Sequence, residues 1–200
     1  MRLEILESGH RPKSRVALWL FQHLVGAKPD DVVKTALYRP EFLGRPWMKV
    51  IRAVMRGPSE WTPGERELFG TFVSRLNQCA YCAGVHAHAA AITQKRAITV
   101  IEPDRWRDQN HPPRIRAILE LLEEVTLHPG DTSRADIDAV RSAGVSDAAI
   151  VDALHLAFVF NGVNRMANAI GYDFGDDAAA RTIAVIMNRV SYTIPGFLLR

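Results

Sequence analysis

Cysteine is scarce in this chain: there are two among 200 residues, and both fall in one stretch, NQCAYCAGVHAHAA (77–90). So small a supply excludes a fold stapled by a disulfide framework, which needs several pairs. Long apolar runs are missing too. The longest, VALWLF (16–21) and LAFVF (156–160), fall far short of the roughly 20 residues that cross a bilayer, so no membrane partner is expected. The opening MRLEILESGHRPKSR carries acids and no uninterrupted apolar stretch, so it does not read as a secretory signal, and we expect a reducing, cytoplasmic setting. No block of one charge sign stands out either. The 25 Lys and Arg are interspersed with 22 Asp and Glu, leaving a net charge of +3. Without a basic run or a zinc-finger or RNA-binding signature, nucleic acid is not an expected partner.

Strand-like alternation with period two is equally sparse, whereas apolar residues recur at i, i+3, i+4 and i+7 in several segments. The pattern predicts an all-α protein. Candidate helices run from about Ser14 to Val25, Glu41 to Met55, Pro63 to Leu76, Cys79 to Arg96, Pro112 to Leu127, Ser133 to Ala143, Ser146 to Ala169 and Asp176 to Asn188. Thr62 before Pro63, with acids in the first turn, is a strong helix start. Ser146 behind Gly144 marks another start just after a helix end. We expect one domain over residues 1–200, with candidate halves 1–102 and 112–200 divided by EPDRWRDQNHPP (102–113). ELFGTFVSRLNQCAYCA (67–83) faintly echoes DALHLAFVFNGVNRMAN (152–168), with Asn164 and Ala167 in place of the cysteines. The echo reads either as chance likeness of two amphipathic helices or as duplication of a helical module.

The cysteine stretch carries the chemistry. On a helix, Cys79, Cys82 and His86 share a stripe about 60° wide. Residues three apart come close enough for a disulfide, so the pair can open and close with little backbone movement. Asn77 is a candidate N-cap, which places both thiols in the first turns, where unpaired amides and the helix dipole favour thiolate. His86, one turn beyond Cys82, can reach its sulfur and move protons. A structural cross-link closing so small a loop removes little unfolded-chain entropy. A zinc site needs four ligands, with His88, His111 or Glu67 as the available additions, and three from one helical stripe fit a tetrahedron poorly. A redox pair fits best, and no metal or other cofactor is required. His88 and His155 read as surface or satisfied core histidines. Trp19, Trp47, Trp61 and Trp106 read as core or subunit-interface packing.

ERELFGTFVSRLNQCAYCAGVH (65–86) is similar to the alkylhydroperoxidase D / carboxymuconolactone decarboxylase family, in particular its peroxidase-related branch. The matching pattern is a glutamate, eleven residues, then C-x-x-C-x-x-x-H, here Glu67, Cys79, Cys82 and His86. The resemblance extends back to about LYRPEFLG and resumes at FNGVNRMANAIG (160–171). It implies a helical fold, assembly into homo-oligomers and reduction of a small-molecule peroxide at the expense of a thiol or dithiol reductant. Carried over, Cys82 attacks the peroxide, Cys79 resolves the sulfenic acid, and Glu67 with His86 relays protons. Twelve residues of straight helix would hold Glu67 about 18 Å from Cys79, so this chemistry demands a break near Asn77–Gln78. One departure stands out: where the best-characterised hydroperoxidases carry a histidine before the second cysteine, this chain has Tyr81. Asn161, Asn164 and Arg165 resemble the family's late helix and read first as structural hydrogen-bonding residues.

Overall fold

The computed structural model describes residues 1–95, 105–173 and 175–193, and among them it is helical without strands. In chain order the α-helices are α1 (Ile5–Ser8), α2 (Pro12–Val25), α3 (Asp31–Tyr38), α4 (Arg45–Arg56), α5 (Pro63–Leu76), α6 (Ala80–Gln94), α7 (Pro113–Leu127), α8 (Arg134–Ser142), α9 (Asp147–Ile170) and α10 (Asp177–Val190). None of the described helices is long and apolar enough to cross a membrane.

Helix α5 lies at the centre. Its start is a capping box: Thr62 Oγ1 accepts the Glu65 amide at 3.2 Å, and the Glu65 carboxylate accepts the Thr62 amide at 2.7 Å. Nearly every later position of α5 is buried, including Glu67, Thr71 and Ser74. The hydroxyls of Thr71 and Ser74 are satisfied by carbonyls one turn back in the same helix. Phe69, Phe72 and Leu76 from α5 join Ile118 and Leu122 of α7 and Leu156 and Phe160 of α9 in the main apolar cluster. That cluster draws on both sides of the 102–113 segment, whose Trp106 is itself fully buried. Trp61 is also buried, with its indole N–H donated to the Ala149 carbonyl at 2.7 Å, whereas Trp19 faces outward.

A smaller cluster joins the start of α6 to Ala167 of α9 and to Ala180 and Ala184 of α10. The alanines let α10 approach α6 closely.

Several boundaries differ from the sequence reading. The segment expected as one helix from Glu41 begins as a π-helical turn, Pro40–Gly44, and α4 starts only at Arg45, because Pro46 has no amide to continue the earlier ladder. Helix α3 was not expected; Asp30 caps it by accepting the Val33 amide at 2.8 Å. The expected end of the motif helix at Arg96, and residues 102–104 of the dividing segment, lie outside the described residues. The second copy of the internal echo, 152–168, runs within the unbroken α9, whereas the first copy spans α5, a turn and α6.

Candidate active site

The turn between α5 and α6 brings the site together. Asn77 is the C-cap of α5, not the N-cap of α6 as the sequence pattern suggested. Gln78 takes a left-handed φ of 56°, and the Cys79 amide closes back on the Ser74 carbonyl at 2.8 Å. The chain then reverses, and Cys79 itself caps α6: its sulfur accepts the Cys82 amide at 3.4 Å. Engagement of Asn77 with α9 explains the displaced cap. Its amide donates to Asn161 Oδ1 at 2.7 Å and to its own helix at Val73, which leaves the thiol to take the capping position.

The sulfurs of Cys79 and Cys82 are 2.6 Å apart, both as free cysteines and both buried. Their environments are opposite. The S–H of Cys82, with help from the Cys82 amide, holds the Cys79 thiol below its ordinary range despite burial. Donation to Cys79, burial and the charge on Cys79 push the Cys82 thiol well up. Within the pair Cys79 is therefore the more acidic thiol and Cys82 the hydrogen-bond donor.

One turn further along α6, His86 meets Glu67. The carboxylate, 0% exposed, accepts His86 Nδ1 at 2.7 Å. Its other oxygen accepts Arg56 Nη2 at 2.5 Å, and the Tyr192 hydroxyl donates to the pair at 2.9 and 3.1 Å. Burial alone would raise the Glu67 pKa, but the His86 hydrogen bond and the charges of His86 and Arg56 outweigh it, and the carboxyl sits below its usual range. Burial and the Glu67 charge push the Tyr192 phenol well above its ordinary value, so it stays a donor. Arg56 is held in turn by Asn188 Oδ1 at 2.9 Å and lies over the Tyr192 ring. His86 is wedged between Phe160, edge-on at 4.7 Å, and the stacked Tyr192 ring.

Glu67, His86, Cys79 and Cys82 are thus brought to one region, as two tightly bonded pairs one helical turn apart. His86 makes no hydrogen bond to either sulfur among the described contacts. Instead it shares a wall with Cys82, where both line a cavity of about 570 Å³ whose other walls are largely apolar. Cys79 is buried away from that wall. Tyr81 points elsewhere: its hydroxyl donates to Asp30 Oδ2 at 3.1 Å, tying α6 to the cap of α3. Burial and the Asp30 charge push the Tyr81 phenol well above its ordinary value. His88 bridges to Asp177 at the start of α10, and His155 is exposed on α9. Among the described residues no three His, Cys, Asp or Glu side chains gather as a metal site.

Arg56 and Tyr192 escaped sequence reasoning. Arg56 closes α4 one residue past the expected end, and Tyr192 follows α10 in a tight turn where Ser191 and Tyr192 both take left-handed φ values, 47° and 56°. Two successive non-glycine residues in that region mark a constrained turn, but the sequence alone carries no sign of it.

Residues 42–124 match the model of the carboxymuconolactone decarboxylase family. This stretch of the chain is similar to that family. The family segment contains Arg56, Glu67, both cysteines and His86, while α9, α10 and Tyr192 lie beyond it. Two crystal structures share the fold. One is an uncharacterized peroxidase-related protein from a Silicibacter species, with a TM-score of 0.70 and 23% identity over 86% of this chain and 90% of the other. The second is described as an alkylhydroperoxidase AhpD core, an uncharacterized peroxidase-related protein from Ralstonia eutropha, with a TM-score of 0.69 and 27% identity over 87% of this chain and 92% of the other. No curated protein matches the sequence.

Proposed function

We propose that the protein is a cysteine-based peroxidase that reduces hydroperoxides through a Cys79–Cys82 dithiol/disulfide cycle. The observation that carries this reading is the side-by-side sulfur pair, with Cys82 at a cavity wall one turn from an imidazole anchored on a buried carboxylate. The family likeness of residues 42–124 and the peroxidase-related names of the two structural neighbours support it.

Cys82 is the attacking sulfur because it faces the cavity. Once the pair has given up one proton, the remaining one passes from Cys82 to Cys79, and the Cys82 thiolate attacks the terminal oxygen of the hydroperoxide. The S–O bond forms as the O–O bond breaks, and His86, held by its hydrogen bond to Glu67, protonates the departing alkoxide. Cys79 then attacks the sulfenic sulfur. The S–S bond forms, and hydroxide leaves with the Cys79 proton as water, so each turnover converts two thiols and one hydroperoxide to a disulfide, an alcohol and water. An external thiol or dithiol restores the pair by thiol–disulfide exchange. A reducing cytoplasmic compartment suits this cycle, and we propose a homo-oligomeric assembly.

The test is intact-mass analysis with thiol and sulfenic-acid trapping after one equivalent of oxidant. We expect an internal disulfide in the native protein, a trapped Cys82 sulfenic acid in Cys79→Ser and no sulfenic acid in Cys82→Ser. The reverse pattern exchanges the two sulfur roles, and no oxidation of either sulfur defeats the peroxidase reading. A single oxidation that dithiol reductant cannot recycle would point to a redox sensor instead.

A further inference from the structure

Asn164 is an oddity of the cavity. It sits on α9 with 0% exposure, yet its amide nitrogen has no hydrogen-bond partner among the described residues. Of the described side chains with such a buried, unserved polar atom, it is the one that lines the cavity beside Cys82 and His86.

Its only hydrogen-bond partner among the described residues is Ser74, whose hydroxyl lies 3.3 Å from Asn164 Oδ1. Ser74 has a single hydroxyl hydrogen, already engaged by the Gly70 carbonyl at 2.7 Å. Oδ1 faces Ser74, so the nitrogen is the pole left waiting for an acceptor that the described residues do not supply. A buried polar group without a partner is costly, and native structures seldom keep one without a use.

The register of α9 shows where this pole lies. Phe160, one turn before Asn164, packs on the His86 ring, and Ala167, one turn after, packs in the cluster that holds both cysteines. Helix α9 runs antiparallel to α6 here, so Asn164 stands level with the turn between Cys82 and His86. Asn164, Cys82 and His86 all line the one cavity, so a small polar molecule bound there meets all three.

Resting on the peroxidase reading, we propose that Asn164 is a substrate-contacting residue: its amide hydrogen-bonds the hydroperoxide oxygens and aligns the O–O bond for attack by Cys82. It acts in the oxidative half of the cycle alone. Donation of an N–H to the oxygen on which negative charge gathers as the O–O bond breaks is electrostatic preorganisation, like that of an oxyanion hole. The bond changes are those already given, and Asn164 gains or loses no proton.

The experiment uses Asn164→Leu, close in shape and wholly apolar, with Asn164→Ala as a second variant, and stopped-flow oxidation by cumene hydroperoxide and by hydrogen peroxide. We expect oxidation of Cys82 to slow about 100-fold in both variants. Reduction of the preformed disulfide by dithiothreitol should be unchanged, and the thermal midpoint of Asn164→Leu should be equal to or higher than the native value. A merely structural amide predicts the opposite: a lowered midpoint and an unaltered oxidation rate, and that result overturns the proposal. Equal slowing of oxidation and of disulfide reduction also overturns it, since the effect then lies in the sulfurs' general environment. If the native protein is not oxidised at all, both this role and the peroxidase reading fall, whereas native oxidation at a rate matched by the variants removes Asn164 alone.

Discussion

Glu67 carries no exposed surface and still keeps its charge, because Arg56, His86 and Tyr192 surround it with donors. Breaking a buried charged pair from one side is expensive, since the remaining partner is left uncompensated. Glu67→Gln strands the Arg56 guanidinium and should cost about 3 kcal/mol at pH 7, measured by urea unfolding. The pH dependence has a definite sign. The folded pKa of Glu67 lies below the ordinary 4.5, so its contribution is complete above that value and disappears as the pH falls through the lower folded pKa. The stability gap between native and Glu67→Gln proteins should therefore shrink in acid, and a gap that does not change between neutral and strongly acidic pH would contradict the assignment. The sulfur pair allows a second residue-scale prediction. Cys79 owes its lowered pKa first to the Cys82 S–H, so Cys82→Ala should move the Cys79 titration up toward the ordinary thiol value of 9.0, followed by thiolate absorbance. Tyr81, engaged with Asp30 and held neutral by burial and that charge, is no substitute for a basic histidine.

Helix α5 and its turn into α6 form the frame on which these residues hang. The register of α5 against α9 is set by Gly70, where an added Cβ would meet the Phe160 ring at 2.3 Å, and by Ser74 one turn later, against Asn164. Gly70→Ala must displace an aromatic ring that also packs on His86. We expect a loss of about 1–3 kcal/mol from overpacking, read as a lower thermal midpoint, together with slower peroxide reduction. Much of this frame was legible in advance. The capping box at Thr62, the break at Asn77–Gln78 and the start of α9 at Ser146 follow from local backbone chemistry, which a short window of sequence contains. The cap of α6 was displaced by two residues because Asn77 found a partner on α9, an event 84 positions away in the chain. Helix α3, eight residues long between two prolines, is too short for its periodicity to rise above a loop.

Several large apolar side chains stand outside: Trp19 is 58% exposed, Phe42 71% and Phe158 70%. The homo-oligomer proposed above is tested by mass. Analytical ultracentrifugation should give a mass that is a multiple of the 22.3 kDa chain, and a strictly monomeric protein at micromolar concentration would count against the proposed assembly.

At this scale the division of information becomes clear. Helical class, most helix starts and the acid–sulfur–sulfur–imidazole order were written in spacing, because helix periodicity and capping act over a few residues. Arg56, Tyr192 and Asn164 gained their places only when α4, α9, α10 and the turn after α10 packed around α5 and α6. Tyr192 meets Glu67 across 125 positions of chain, and Asn164 meets Ser74 across 90. Contacts at such separations depend on how whole helices cross and on which side chains the crossing leaves unserved. No local pattern encodes them.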